Sequence, residues 1–371
     1  MFLVIKAKRI MLTLCALLVL AAEIAALYLI TPREAATVAN MAEGEIELLI
    51  DGISGIRNKA LLKGDTETVK KLYNTKKRNG LYAYDHEVKK IKYIANWSEK
   101  QGVKFTKIDS TSVVKWDRMN PSGSCTVNFL MSTEYWYIYN DAPGVVNEMR
   151  IGTYHEMDIE PHEDGWLITR EWYTDPFADS LDLEKLKTDD ILAKILSHGP
   201  REFADMNERR KAALEYADKY VGAADSGENN YSYNTEFKNY NNVGGDCANF
   251  VSQVLLAGGF KKTGSWNYQK DGSRAWLKSA YLKDFMLNSG RGSLIKSGSY
   301  SDVLSLSYEL LPGDIVAYYK KGKVVHVSVV TGADSKGYAL VNCHNTDRYR
   351  VPWDLGWSNS GIRFYFIRVN Y

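Results

Sequence analysis

The chain opens on one unbroken apolar pattern, passes to helical spacing, and then alternates in twos. Ile10 to Ile30 is apolar except for Thr13 and Glu23, and Lys6, Lys8 and Arg9 precede it. Basic residues before such a run hold the N-terminus in the cytoplasm and export the chain beyond it. The run exceeds the roughly 7–15 apolar residues of a cleavable signal and approaches the roughly 20 that span a bilayer. It predicts a signal-anchor helix within residues 1–35, with a cleaved signal peptide as the alternative. Leu12-Thr13-Leu14 makes a poor lipoprotein box before Cys15.

Residues 36–180 read as one α+β region. Ile46, Leu49, Ile50 and Ile53 recur at helical spacing, a second helix is expected from Asp65 to Lys76, and a third from Asp85 to about Glu99. After Gly102 the period becomes two. Val103 and Phe105 alternate with polar neighbours, and β-branched and aromatic runs follow at Thr111–Trp116, Cys125–Tyr139, Glu148–Met157 and Trp166–Tyr173. Helices followed by an antiparallel sheet define an α+β fold. In element order this is similar to the nuclear-transport-factor-2-like fold. His155 and His162 lie among acidic residues here, but no ligand spacing links them, so they read as part of a solvated strand and no metal is expected.

Residues 181–205 read as a charged linker with some helix from Leu183 to Leu196, and 206–371 as a second α+β domain. Asn207 caps a helix that runs to Tyr220, and a polar, tyrosine-rich loop leads to Tyr240. Next comes Gly244-Gly245-Asp246-Cys247, then an apolar helix closed by Gly258-Gly259. Gly272–Asn288 is another expected helix. From Ile315 strand patterns dominate, with a hairpin turn at Lys320–Lys323 and strands at Val324–Val330 and Tyr338–Asn345.

Composition narrows the function classes. A net charge of +2 gives no support for a nucleic-acid partner. Four cysteines are too few for a disulfide scaffold. The 25 tyrosines and nine tryptophans suit a wet surface facing peptide or carbohydrate as well as a core.

The candidate chemistry lies in the C-terminal half. Cys247 falls in the first turn of a short helix, where the dipole and unpaired N–H groups favour a thiolate. His326 interrupts a valine-rich strand, as a satisfied core group or as a base. By strand parity Asn342 and His344 share one face of the next strand, and pairing of the two strands can bring His344 to the face of His326. A thiol, a base and a polar orienter from separate elements make up the logic of covalent acyl transfer. Two rivals use the same residues: zinc held by Cys247, His326, Cys343 and His344, or a Cys247–Cys343 disulfide in a non-catalytic binding module.

Gly244-Gly245-Asp246-Cys247-Ala248-Asn249-Phe250-Val251-Ser252-Gln253 resembles the signature of a bacterial amidase domain family, related to the NlpC and CHAP groups of papain-like cysteine hydrolases. Ala213, Tyr216, Ala217 and Tyr220, Trp266 and Trp276, Gly313-Asp314, His326, and His344-Asn345-Thr346-Asp347 continue the likeness. The resemblance implies a papain-like domain with Cys247 as nucleophile, His326 as base and acid, and His344 as orienter, Asn345 being the runner-up. Tyr240, Asp246 and Trp266 are the substrate or oxyanion candidates beside the Cys247 N–H, Asp246 being the better placed as a helix cap. It further implies an exported cysteine amidohydrolase without a cofactor, acting on cell-wall peptide. The accessory region 36–180 would bind substrate or a protein partner.

Overall fold

The computed structural model describes residues 44–163, 165–177, 183–358 and 361–371. The expected anchor over residues 1–35 lies outside them. Among the described residues no helix is long and apolar enough to cross a membrane.

Helix α1 (Glu45–Lys63) buries Ile46, Ile50, Ile53 and Leu61 on one stripe. The short α2 (Thr66–Lys70) begins where the Asp65 carboxylate accepts from the Thr68 N–H, and it ends six residues before Lys76. Helix α3 (Arg78–Gln101) starts seven residues earlier than the pattern predicts and stops at Gly102, which is left-handed with φ 71°. The strands follow: β1 (Val103–Met119), β2 (Cys125–Tyr139), β3 (Ala142–His162) and β4 (Gly165–Tyr173). The two separate runs expected near Val103 and Thr111 are one edge strand, bent by register shifts at Phe105/Lys107 and Val114/Trp116. His155 is buried rather than solvated. Its Nε2 lies 2.7 Å from Thr153 Oγ1 and its Nδ1 2.9 Å from Glu171 Oε1.

Helix α4 (Asp189–Leu196) occupies the expected linker. The Asn207 side chain caps α5 (Glu208–Lys219), as its position predicts. Then come α6 (Cys247–Ala257), α7 (Arg274–Leu277), α8 (Ser279–Asn288), β5 (Gly292–Gly298) and α9 (Tyr300–Ser307). The strands β6 (Ile315–Lys320), β7 (Lys323–Ala333), β8 (Ala339–Cys343), β9 (Asp347–Pro352) and β10 (Arg363–Val369) complete the chain.

Among the described residues these strands join into one sheet in the order β1-β2-β3-β9-β8-β7-β6-β10-β5, with β4 on β3. The sheet does not stop at the expected boundary near Asp205. Arg150, Ile151 and Gly152 of β3 pair with Tyr349, Arg348 and Asp347 of β9. Gly152 makes the junction possible: a Cβ there would lie 2.1 Å from the Ala223 main chain. Gly44–Tyr371 forms one compact unit.

The C-terminal part of the sheet is covered on both faces. On one, Ile315, Ala317, Val327 and Val329 pack with Phe250, Val251 and Val254 of α6 and Leu282 of α8. On the other, Tyr318, Phe364 and Phe366 meet Trp353 and Trp357. Behind that aromatic layer Trp97 and Lys100 of α3 reach Asp354.

Candidate active site

The loop before α6 turns on two left-handed glycines, Gly244 (φ 103°) and Gly245 (φ 114°). Only glycine fits at 245, because a Cβ would sit 2.1 Å from Asn345 Nδ2. That close approach lets Asn345 Oδ1 accept from the Asp246 N–H at 2.6 Å. Asn345 therefore holds the loop and does not orient a base.

Asp246 stands at the helix start but makes no side-chain cap bond. Its Oδ1 accepts from Tyr240 N and from Asn249 Nδ2, each at 2.9 Å, and its Oδ2 lies 2.6 Å from His344 Nδ1. The other nitrogen of His344 lies 2.7 Å from the Tyr220 carbonyl oxygen. A carbonyl only accepts, so Nε2 carries a proton, and Nδ1 faces a carboxylate. Burial opposes charge on this ring, yet the Asp246 hydrogen bond, the Asp347 and Asp246 carboxylates and the Tyr220 carbonyl raise its pKa. His344 is thus a buried ring whose protonated form its partners favour, stacked on Phe250 at 4.1 Å, with both nitrogens engaged. It ties α6 to the end of α5. Beside it, burial lifts the Asp347 carboxyl to about 6.

His326 lies on the opposite face. Its strand partner is Tyr318. Its ring stacks on Trp357 at 5.2 Å and leans on Tyr318 at 5.3 Å. Burial, helped by the nearby Arg348 cation, depresses its pKa to about 3, so it is neutral. Its Nε2 is buried without a hydrogen-bond partner, as is Trp357 Nε1. The expectation that both imidazoles share a face is therefore corrected. Val329 pairs with Asn342, so Asn342 and His344 follow the face of Val329 and Val327, away from His326.

Cys247 stands in the first turn of α6, 5% exposed, with its sulfur 3.2 Å from Ser279 Oγ. Burial raises its pKa, against the lowering expected at a helix start. The Ser279 hydroxyl and the Val327 and Ala248 main chains oppose that rise, while the Asp246 charge adds to it. The resting group is a thiol. The peptide joining His326 to Val327 passes beside the sulfur, but no hydrogen bond joins the two side chains.

The remaining candidates have structural roles. The Tyr240 hydroxyl donates to the Asp271 carbonyl, so it is not free to serve an oxyanion. Trp266 is fully buried, donates to Ser252 Oγ and packs on Trp276. Cys247 and Cys343 are both free thiols, which removes the disulfide. Among the described residues no group of three or more His, Cys, Asp or Glu is arranged to hold a metal ion. Ser279 and Trp357 had no motif to announce them. A cleft of about 320 Å³ opens beside the loop, lined by Gly244, Gly245, Asn241 and Asn345 and by Tyr154 and Trp172 from the N-terminal strands.

Known proteins place the C-terminal half. Residues 207–367 match the family model described as "Putative amidase domain". Over 172 residues the chain is 27% identical to "Uncharacterized protein YhbB" of Bacillus subtilis (strain 168), covering 43% of this chain and 50% of that one. It is 31% identical over 164 residues to "Uncharacterized protein YjcM" of the same organism, covering 42% of this chain and 35% of that one. The chain thus spans half or less of the length of these relatives. A slight likeness, TM-score 0.23 at 12% identity, links 34% of this chain to 95% of the solved intermembrane space region of chloroplast protein ARC6.

Proposed function

We propose that the amidase-like half is a papain-like cysteine amidohydrolase with Cys247 as nucleophile and His326 as base. The observation that carries the reading is the setting of Cys247: the first turn of a buried helix, with Ser279 and the His326–Val327 peptide beside the sulfur. His326 brings a neutral ring with a free nitrogen. A buried polar atom left unpaired costs about 1–3 kcal/mol, which is tolerated chiefly where it is used.

In the reaction the sulfur bonds to the amide carbonyl carbon as its proton passes to His326. The carbonyl electron pair moves onto oxygen and is stabilised by main-chain N–H groups at the start of α6. The C–N bond then breaks, and the amine leaves with the proton from His326. Water, deprotonated by His326, attacks the thioester and releases the acid, and the sulfur recovers the proton. In the resting geometry the imidazole lies on Trp357, on the sheet face away from the sulfur, so the first step requires the start of β7 to rearrange and bring the ring round to the α6 side. His344 takes no proton in this scheme. It fixes Asp246 and the loop. The substrate would be a cell-wall peptide met after export, with an N-terminal membrane tether.

Hydroxylamine tests the intermediate. Added to a digest of purified peptidoglycan, it should divert the thioester into peptide hydroxamate, and Cys247→Ala should yield none. Hydrolysis by wild type with no hydroxamate would point to direct attack by water.

A second reading, a silent wall- or protein-binding module, is favoured by one observation: the buried sulfur is a thiol with no imidazole bonded to it. It predicts binding to peptidoglycan with no new amine termini.

A further inference from the structure

The cleft beside the nucleophile loop is walled by two parts of the chain. One wall is Asn241, Asn242, Gly244 and Gly245, with Asn345 and Thr346; the other is Tyr154, Trp172, Thr174 and Asp175. The second wall comes from β3, β4 and the residues after them, outside the span that matches the amidase family. Its volume, about 320 Å³, is at the lower end of small-molecule sites.

Three features show a site built for a ligand. Asn241 Oδ1 is buried without a partner, although its Nδ2 donates to Tyr233 at 3.1 Å. Asn345 and Thr346 are left-handed, with φ 66° and 63°. For a β-branched residue such as Thr346 this is strained, and strain of that kind gathers at ligand clamps and active sites. Trp172 holds an indole 61% exposed in a strand, where a large apolar side chain gains nothing from water.

We propose that this cleft binds a short peptide and that Trp172 sets which peptide is accepted. Asn241 Oδ1, closed off in the resting loop, accepts a main-chain N–H of the peptide once the loop parts to admit it. Gly244, with nothing within 4 Å of where a Cβ would stand, leaves the loop backbone open to it. An apolar residue of the peptide lies on the Trp172 ring. A sugar fits the wall less well. On the Trp172 side the Tyr154 hydroxyl is held by Tyr233, Thr174 Oγ1 accepts from the Tyr154 N–H, and Asp175 is held by His86 and the Phe177 N–H, so that wall offers few free polar groups to read its hydroxyls. The inference rests on the amidase reading for the fate of the peptide, but not for its binding. It gives the N-terminal strands a direct part in substrate choice.

The test uses the full chain carrying Cys247→Ala, so that binding is read without turnover. Soluble peptides released from purified peptidoglycan, and glycan strands freed of peptide, are titrated separately by calorimetry. The peptides should bind. Trp172→Ala should weaken them by roughly tenfold or more, Trp172→Phe by less, with melting temperature unchanged because the ring is exposed. Asn241→Leu should weaken binding independently. In otherwise wild-type protein, Trp172→Ala should raise KM and leave kcat nearly constant. Peptide binding unaffected by Trp172→Ala, or binding of the glycan alone, would overturn the proposal. Binding that depends on Trp172, with no hydrolysis by wild type, would uphold the cleft and remove the amidase.

Discussion

At the scale of single residues, the site is governed by what burial and buried partners do to four titratable groups. Cys247 is held as a thiol, so alkylation by iodoacetamide should be slow at pH 7 and climb as pH passes above the ordinary thiol range. Mass-spectrometric rates from pH 6 to 10 check this; a fast rate at neutral pH, flat above it, would contradict the buried thiol. His326 is depressed to about 3 in the folded state, against about 6.5 for a free imidazole. The unfolded chain therefore binds a proton here that the native state refuses. The resulting stability is present above pH 6.5 and is lost as pH falls toward 3. His326→Gln should flatten that part of the profile of melting temperature against pH. His344 and Asp347 have the opposite sign, with folded pKa values raised. Asp347 contributes stability below about pH 4 that is lost as pH rises through about 6. His344 contributes stability below about pH 6.5 that is lost at still higher pH.

At the scale of elements, one extra residue decides which imidazoles meet. The hairpin end of β7 and β8 pairs Ala333 with Ala339 and Gly332 with Leu340. Continued unbroken, that register would set His344 opposite Ser328, on the face of His326. A shift between Val330 and Gly332 instead pairs Val330 with Val341 and Val329 with Asn342, which turns His344 to the α6 side. Period two in each strand was legible in the sequence, as were α6, the cap at Asn207 and the full extent of β2. The bulge was not, because nothing in Val329-Val330-Thr331-Gly332 says which residue is skipped. β9 was missed for another reason. Asp-Arg-Tyr-Arg looks solvated, but Arg348 is buried and donates to the Leu355 carbonyl at 2.5 Å. Charged residues that find buried partners hide a strand from any reading of polarity.

A second element-scale contact joins α3 to the loop after β9. Lys100 and Asp354 are both fully buried as an ion pair, with Tyr300 and Tyr338 completing the cluster. Removing one partner leaves a buried charge unmatched, which costs about 3–5 kcal/mol. Asp354→Asn should lower stability by that order in a urea titration, whereas the paired change Lys100→Met with Asp354→Leu should recover part of it. A loss below about 1 kcal/mol in the single variant would mean that water reaches the pair.

At the scale of the whole molecule, the amidase-like half borrows its edge from the strands before it. β9 pairs with β3, Gly152 admits the turn at Ala223, and Trp97 reaches Asp354. A fragment of residues 206–371 would expose the β9 edge and the aromatic layer behind β6. It should melt well below the full chain or aggregate, because the open edge leaves unpaired N–H and C=O groups that recruit other strands and the aromatic layer is bared. Equal melting temperatures for fragment and full chain would refute this dependence.

The most direct measurement is a mass-spectrometric digest of purified peptidoglycan with the full chain and its Cys247→Ala variant. Wild type should release peptide fragments with new amine and carboxyl termini, and the variant should release none. The same fragments from both proteins, or none from either, would contradict a cysteine amidohydrolase centred on Cys247.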